Sequence, residues 1–189
     1  MASSKRLIVG LGNPGEAYFD TRHNVGFRVI DELAERLKLT LKTKGSSILG
    51  WGKWKGHPVG LAKPTTYMNS SGTAVEDLMR KNRLEPEDLL VVVDDINLPV
   101  GTIRIRERGG PGGHNGLEDI IDWLDSDRFP RLRIGIGSRF REGRQVDFVL
   151  SNFEDEEKEL IDQAIAKARD ATLTFVSDGI VTMMNRFST

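Results

Sequence analysis

The chain has 189 residues, of which 38% are hydrophobic and 29% charged, and its 27 basic and 28 acidic side chains give a formal net charge of −1. This near balance excludes a generally polycationic protein, so any binding of nucleic acid must come from a local basic patch. The absence of cysteine excludes disulfide bonds, thiol catalysis and cysteine metal sites.

The length is typical of one domain with a substantial core. No run of the sequence approaches the roughly 18 apolar residues that a membrane-spanning helix requires. The N-terminal residues lead into a predicted strand, without an apolar signal region. We therefore expect a cytoplasmic protein that does not associate with a membrane.

Strand-like and helix-like patterns alternate in the first half of the chain. Residues 6–11 include an apolar run typical of a buried strand, and apolar residues at helical spacing predict a helix over 25–39. Two strands joined by a short turn are predicted over 48–55 and 58–63. After a polar loop, residues 70–82 place their apolar side chains on one side and are predicted to form a helix.

The same alternation continues in the second half. Residues 89–93 are all aliphatic, the pattern of a strand that is covered on both faces. Residues 100–108 and 131–137 alternate as strands do. Between them, a glycine-rich loop precedes a helix predicted over 117–124.

The C-terminal part has three predicted segments. A short strand is predicted over 146–150, and an acidic amphipathic helix over 154–176. The apolar tail over 180–187 should pack as another turn or two.

Strands that alternate with helices at this spacing indicate the α/β class. We predict a single three-layer α/β/α domain over residues 1–189, built on a twisted mixed sheet that is mostly parallel. The hairpin within 48–63 should supply an antiparallel part.

The motif Gly10-x-Gly12-x-x-Gly15 follows the first strand and matches the dinucleotide-binding fingerprint. The rest of the required context is missing. Pro14 interrupts the motif, and the helix begins only after His23, so no helix N-terminus would face a pyrophosphate. The sequence therefore disfavours a nucleotide site here.

Polar residues follow several predicted strands. Asn13 and Asp94 follow strand ends, and Asn69 and Asn115 lie in loops expected at the same edge, because sites in α/β sheets form outside the carboxyl ends of the strands. His23 immediately precedes the first helix. Taken alone, His23 is also consistent with a packing histidine, and Asp94 with a solvated strand end.

Taken together, these residue types suit hydrolysis. A neutral imidazole can take a proton from water, while a carboxylate on its other nitrogen fixes the tautomer and stabilises the imidazolium. Asparagine amides can hold a carbonyl group and donate to a developing oxyanion. No serine or cysteine nucleophile is evident, so the pattern favours direct attack of water on an activated ester.

Arginines form a second pattern. Three of them alternate along 104–108, and Arg131 and Arg133 do the same on a neighbouring strand. With the basic loop at 139–144 they could form a phosphate-binding patch beside the glycine-rich loop. A solvated sheet face balanced by nearby acids is the alternative.

The three histidines, at 23, 57 and 114, make a weak set of metal ligands without cysteine.

Several ordered segments resemble those of bacterial-type peptidyl-tRNA hydrolase along essentially the whole chain. They are G-L-G-N-P-G (10–15), T-R-H-N (21–24), K-P-T-T-Y-M-N (63–69), D-D (94–95) with L-P-x-G (98–101), G-G-H-N-G-L (112–117) and R-L-R-I-G-I-G (131–137). Such a series is far more specific than any single motif.

The resemblance implies hydrolysis of the ester that joins a peptide to the 3′ end of tRNA in peptidyl-tRNA, releasing tRNA for reuse in translation. It implies a protein that is usually monomeric and that needs no metal or other cofactor. By motif, His23 would be the general base and Asp94 its orienting carboxylate. Asn13 and Asn115 would position the peptide and the terminal nucleotide, and Asn69 would bind the peptide carbonyl or the water.

The resemblance implies further site residues. Arg106 and Arg133 match positions that contact the tRNA 5′ phosphate, and the C-terminal region over about 154–187 would serve as a lid. The remaining residues would neighbour the substrate or support the site: Tyr67, Met68, His114, Asn24, Gly112 and Gly113.

Two other functions remain as alternatives. An RNA-binding scaffold on the same fold, as in some plastid relatives that act in intron splicing, is disfavoured because every expected catalytic residue is present. A nucleotide-dependent enzyme is disfavoured by the wrong context of the glycine fingerprint.

Overall fold

Seven strands form one sheet in the order β2-β3-β4-β1-β5-β7-β6. The structure is a computed structural model that describes residues 5–188. The strands are β1 (Arg6–Gly10), β2 (Lys42–Lys44), β3 (Ser47–Trp54), β4 (His57–Pro64), β5 (Leu89–Asp95), β6 (Ile103–Arg106) and β7 (Arg131–Gly135).

The centre of the sheet is parallel and both edges are antiparallel. Strand β1 lies between β4 and β5, and β5 pairs with β7, all in parallel. The β3–β4 hairpin, β2 beside it and β6 on the far edge are antiparallel. The mixed sheet and the predicted hairpin are confirmed. Because only three of the six pairings are parallel, the sheet is less parallel than the sequence pattern indicates.

Helices cover both faces of this sheet, which confirms the α/β prediction. They are α1 (Val25–Leu37), α2 (Ser71–Asn82), α3 (Asn115–Leu124), α4 (Gln145–Val149), α5 (Asp155–Asp178) and α6 (Ile180–Phe187). Within the described residues, no helix is both long and apolar enough to cross a membrane.

The pleat of the central strands divides the core into two layers. Along β1, Ile8 belongs to the cluster that includes side chains of α1, α5 and α6, whereas Leu7 and Val9 belong to the cluster with α2 and α3. Successive side chains of a strand point to opposite faces, so a continuous apolar run is what a strand covered on both sides requires.

The segment at 146–150 corrects one prediction. It is not a strand, because residues 145–149 form the short helix α4, in which the N–H of Phe148 bonds to the carbonyl of Arg144. Short apolar runs are ambiguous between strand and helix. Here the run lies outside the sheet, with Phe148 buried and Val146 exposed. The predicted helices over 154–176 and 180–187 correspond to α5 and α6.

The strand order defines where a site can form. Strand β4 lies on one side of β1 and β5 on the other, so the connections diverge at the carboxyl end of β1. A crevice opens at such a switch point in α/β sheets. Asn13, Asn69 and Asp94 all lie at this edge, after β1, after β4 and at the end of β5.

Candidate active site

His23 and Asp94 are in direct contact. His23 lies in a single helical turn before α1, and its Nδ1 is 2.8 Å from Oδ1 and 2.9 Å from Oδ2 of Asp94 at the end of β5. Burial is the largest single influence on the pKa of Asp94 and would raise it, but the electrostatic attraction and the hydrogen bonds of the His23 and His114 rings together hold that pKa well below its ordinary value. The ionised carboxylate can only accept, so Nδ1 of His23 carries the proton.

His114 makes the second bond to this carboxylate. Its Nε2 is 2.9 Å from Oδ1 of Asp94, and its Nδ1 accepts the backbone N–H of Leu117 at 3.2 Å. Because a ring nitrogen that accepts an N–H carries no proton, the neutral His114 has its proton on Nε2 and donates it to Asp94. The first turn of α3 thus selects the tautomer of His114.

This arrangement leaves Nε2 of His23 with a lone pair. The His23 side chain retains 13% of its surface exposure and lines two adjoining cavities. A neutral imidazole with a carboxylate on one nitrogen and an accessible lone pair on the other is the arrangement of a general base.

Asn24 organises the backbone of Asn13. Its Oδ1 accepts the Asn13 N–H and its Nδ2 donates to the Asn13 carbonyl, each at 2.9 Å. The Asn13 side chain in turn accepts the N–H of Met68 through Oδ1 at 2.8 Å. Since Oδ1 of Asn13 faces Met68, its Nδ2 is left as a donor beside the cavity that Asn13 lines.

The cavity on this side, which we call the His23 cavity, has a volume of about 220 Å³. Asn69 and Asn115 line it with exposed side chains, and neither amide has a hydrogen-bond partner within residues 5–188. The lining residues are Asn13, His23, Tyr67, Met68, Asn69, Asn115, Val146, Val149 and Leu150.

Tyr67 has an unusual backbone in the loop that forms this wall. Its φ of 64° lies in the left-handed region, which is costly for a residue with a side chain. The ring is exposed, whereas the next residue, Met68, is buried and gives its N–H to Asn13. The strained position therefore sits where the chain turns from the core to the cavity.

A second pocket adjoins the first across His23, and we call it the glycine-loop pocket. Gly112 and Gly113 form part of its wall with φ of 58° and 81°, and Arg133 and His114 also line it. A Cβ on Gly112 would lie 2.6 Å from a guanidinium nitrogen of Arg133 and would displace it, and the positive φ of this residue favours glycine.

The arginines of the antiparallel strands β6 and β7 share one face. Register pairs Arg104 with Arg133 and Arg106 with Arg131 across β6 and β7, while the opposite face is part of the apolar core. Arg133 is 3.6 Å from an oxygen of Asp95. Arg106 is exposed and has no carboxylate partner in the described part of the chain.

Arg131 differs from its neighbours and does not belong to an accessible patch. It is fully buried and donates to the backbone carbonyls of Asp127, Phe129, Gly109 and Gly110. Burial, with a smaller contribution from Arg133, lowers the pKa of Arg131 to about 10. Its position in the sequence pattern indicates a phosphate ligand, but its contacts are those of a residue that holds the glycine-rich loop.

The glycine motif after β1 serves packing. A Cβ on Gly10 would collide with the carbonyl of Gly26 in α1, and one on Gly12 would collide with the ring of Phe27. The first two glycines therefore let α1 approach β1 closely, which agrees with the rejection of a nucleotide site.

His23, Asp94 and His114 also have the residue types of a metal site, with ligand atoms within 4.8 Å of one another. Their bonding fits this poorly. Nδ1 of His114 already accepts from Leu117, so Nε2 must keep its proton and has no lone pair for a metal.

Comparison with known proteins then decides the family. The model of the family described as "Peptidyl-tRNA hydrolase" matches residues 7–189. The chain belongs to the peptidyl-tRNA hydrolase family. It is 50% identical over 188 residues to the peptidyl-tRNA hydrolase of Salinibacter ruber, covering 100% of both chains, and 48% identical over 183 residues to that of a Thermoanaerobacter species, covering 96% of this chain and 98% of the relative.

A solved peptidyl-tRNA hydrolase shares the fold. The crystal structure of the enzyme from Acinetobacter baumannii superimposes with a TM-score of 0.93 at 39% identity and covers 100% of this chain and 97% of its own. The resemblance inferred from the sequence motifs is thereby confirmed.

Most of the residues expected for a peptidyl-tRNA hydrolase site lie together. Arg106 is the exception, because it lies on the edge strand and lines neither cavity. Asn24 is buried behind Asn13. Arg22 was not among the residues expected at the site, although it belongs to the T-R-H-N motif.

Proposed function

We propose that this peptidyl-tRNA hydrolase cleaves its substrate with a water molecule activated by His23. As a member of the family it hydrolyses the ester between peptide and tRNA. The observation that supports the mechanism is that Asp94 lies between two imidazoles and takes Nδ1 of His23, so the lone pair of this cavity-lining ring is on Nε2.

The proton moves in a closed sequence. Nε2 of His23 takes a proton from water as the oxygen attacks the ester carbonyl, and Asp94 stabilises the imidazolium through Nδ1–H. When the tetrahedral intermediate collapses, the imidazolium returns the proton to the 3′ oxygen of the tRNA. The products are the free carboxylic acid of the peptide and the tRNA hydroxyl.

Amide donors on the cavity wall would stabilise the oxyanion. The side chain of Asn69 binds the peptide carbonyl or the water, and Asn13 and Asn115 position the peptide and the terminal nucleotide. Their arrangement around the His23 cavity supports these roles. Tyr67 and Met68 border the peptide.

The acceptor end of the tRNA would lie along the glycine-loop pocket. Gly112 and Gly113 allow a close approach of the nucleotide backbone, and His114 stands behind it. Arg133, with Arg106 farther along the same face of β6 and β7, then binds the 5′ phosphate. The contacts of Arg106 leave its charge accessible.

The remaining properties are proposed from the family resemblance and the sequence. The protein acts as a monomeric single domain in the cytoplasm, without a metal or cofactor. The C-terminal region over about 154–187, which comprises α5 and α6, acts as a lid, and α4, which precedes it, supplies part of the wall of the His23 cavity.

The test is a hydrolysis assay on N-acylaminoacyl-tRNA with the parent, His23→Ala and His57→Ala. His57 begins β4 and lines neither cavity, so it is the matched histidine control. We expect His23→Ala to lose at least about 100-fold in kcat while still binding tRNA. If His23→Ala keeps the activity of His57→Ala, His23 is not the base. If the parent binds tRNA without cleaving it, the scaffold alternative holds.

A further inference from the structure

Arg22 is a buried charge directly next to the proposed base. Its side chain is only 4% exposed, and NH1 bonds to Oε1 of Glu157 at 2.9 Å. A buried guanidinium requires such compensation, because removing a charge from water is costly. The residue is therefore held in one position, and its partner lies in the first turn of α5.

Aromatic rings complete the site of Arg22. Its guanidinium lies 4.4 Å from the ring centroid of Phe148 in α4 and 4.9 Å from that of Phe153. Arginine stacks favourably on aromatic faces when both are withdrawn from water.

The backbone around Arg22 is tied to the same segment. The N–H of Arg22 bonds to the Ser151 carbonyl at 2.9 Å, and its Nε to the hydroxyl of Ser151 at 3.3 Å. Thr21 pairs with Asn152 in an isolated bridge. Among the residues that the structure describes, every side-chain partner of Arg22 thus lies within 148–157, which runs from the end of α4 into the first turn of α5.

Helix α4 depends on such an anchor. It spans five residues, of which only Phe148 is buried. A helix this short is not stable alone. Its Val146 and Val149 line both cavities beside His23, so the residue that holds Phe148 also fixes the distance between this wall and the base.

We propose that Arg22 is a positioning residue that locks α4 over His23. It joins the base and the cavity wall through one side chain, so the wall and Nε2 of His23 keep a fixed relation during attack. The inference rests on the proposed function of His23.

The test compares Arg22→Lys with Arg28→Lys. Arg28 also bonds a carboxylate of α5, Asp162 at 2.8 Å, but this pair is exposed and does not touch α4. We expect Arg22→Lys to lower kcat about tenfold or more, because small displacements of catalytic groups are costly. Arg28→Lys should keep the parent kcat and KM. Both are assayed well below their Tm.

A second readout separates positioning from simple destabilisation. The Nδ1 proton of His23, bonded to Asp94, should give a low-field proton resonance that is broadened in Arg22→Lys and unchanged in Arg28→Lys. A merely structural role would lower Tm but leave kcat, KM and this resonance at their parent values in the folded protein. That result would overturn the inference.

Glu157→Gln covers the case in which Arg22→Lys does not fold. Gln retains an acceptor for Arg22 but removes the charge, so kcat should fall in the same direction by a smaller factor, and unchanged kcat would overturn the inference. If the parent itself does not hydrolyse the ester, the proposed function fails. If the parent is active and these variants are too, only the role of Arg22 fails.

Discussion

His114 and His23 donate to the same carboxylate oxygen, because Oδ1 of Asp94 is 2.9 Å from Nε2 of His114 and 2.8 Å from Nδ1 of His23. Two imidazole donors on one buried acceptor explain how Asp94 remains ionised despite its burial. The tautomer of His23 is a consequence of that charge. The pair formed by His23 and Asp94 therefore depends on a third residue, His114, at the start of α3.

Asp94→Asn should lose at least about 100-fold in kcat while its structure is retained. An amide cannot accept from two imidazole N–H groups in the same way, since one of its two positions is a donor. The NH2 group facing His23 would favour the tautomer with the proton on Nε2, and the lone pair would leave the cavity. Steady-state kinetics together with circular dichroism measures this, and a variant with parent kcat would contradict the proposed orientation.

The same variant should change the pH dependence of stability. The pKa of Asp94 is lower in the folded than in the unfolded protein, whose value is about 3.9, so its contribution is present above that pH and is lost as pH falls through the folded pKa. The free energy of unfolding of Asp94→Asn should therefore lie farthest below that of the parent at neutral pH. Urea titrations at pH 7 and pH 3 measure the difference, and a gap that widens on acidification would be inconsistent with the lowered pKa.

Asn24→Ala should destabilise the protein and weaken catalysis together. It leaves the buried N–H and carbonyl of Asn13 without their partners, at a cost of roughly 1–3 kcal/mol for each unsatisfied group. The Asn13 amide then loses its fixed direction towards the His23 cavity, so kcat should fall. Asn82→Ala is the control, because its side chain donates to the carbonyl of Leu78 at the end of α2 and accepts from Lys5, away from both cavities. Equal effects of both variants on kcat would mean that Asn24 has no specific role at the site.

The central part of the fold could be predicted from local patterns. Runs such as 89–93 are apolar because they are covered on both faces, and α1 shows the spacing of a helix with one buried side. The segment at 146–150 could not be assigned this way. Its short apolar pattern fits either a strand or a helix, and only the contact of Phe148 with Arg22 in the folded protein decides between the two.

The site could be predicted where function follows strand ends, but not where it depends on distant contacts. Arg131 and Arg133 have the same alternation, yet Arg131 is fully buried among four backbone carbonyls, whereas Arg133 donates to one of them, that of Gly110, and remains partly exposed. The role of Arg22 could not be predicted from the sequence for the same reason, because its partner Glu157 lies 135 positions away. Alternation gives the face of a strand, whereas burial depends on the loops that cover it.

Arg106→Ala and Arg133→Ala should raise KM for peptidyl-tRNA with little change in kcat, since the 5′ phosphate that they bind takes no part in the reaction at the ester. Each should flatten the dependence of log KM on log salt by about 0.7–0.9 if it neutralises one phosphate. A substrate without its 5′ phosphate should abolish most of the difference from the parent. Arg80→Ala is the control, because Arg80 is an exposed arginine on α2 that pairs with Asp77. If the dephosphorylated substrate shows the same loss as the phosphorylated one, these arginines bind another part of the tRNA.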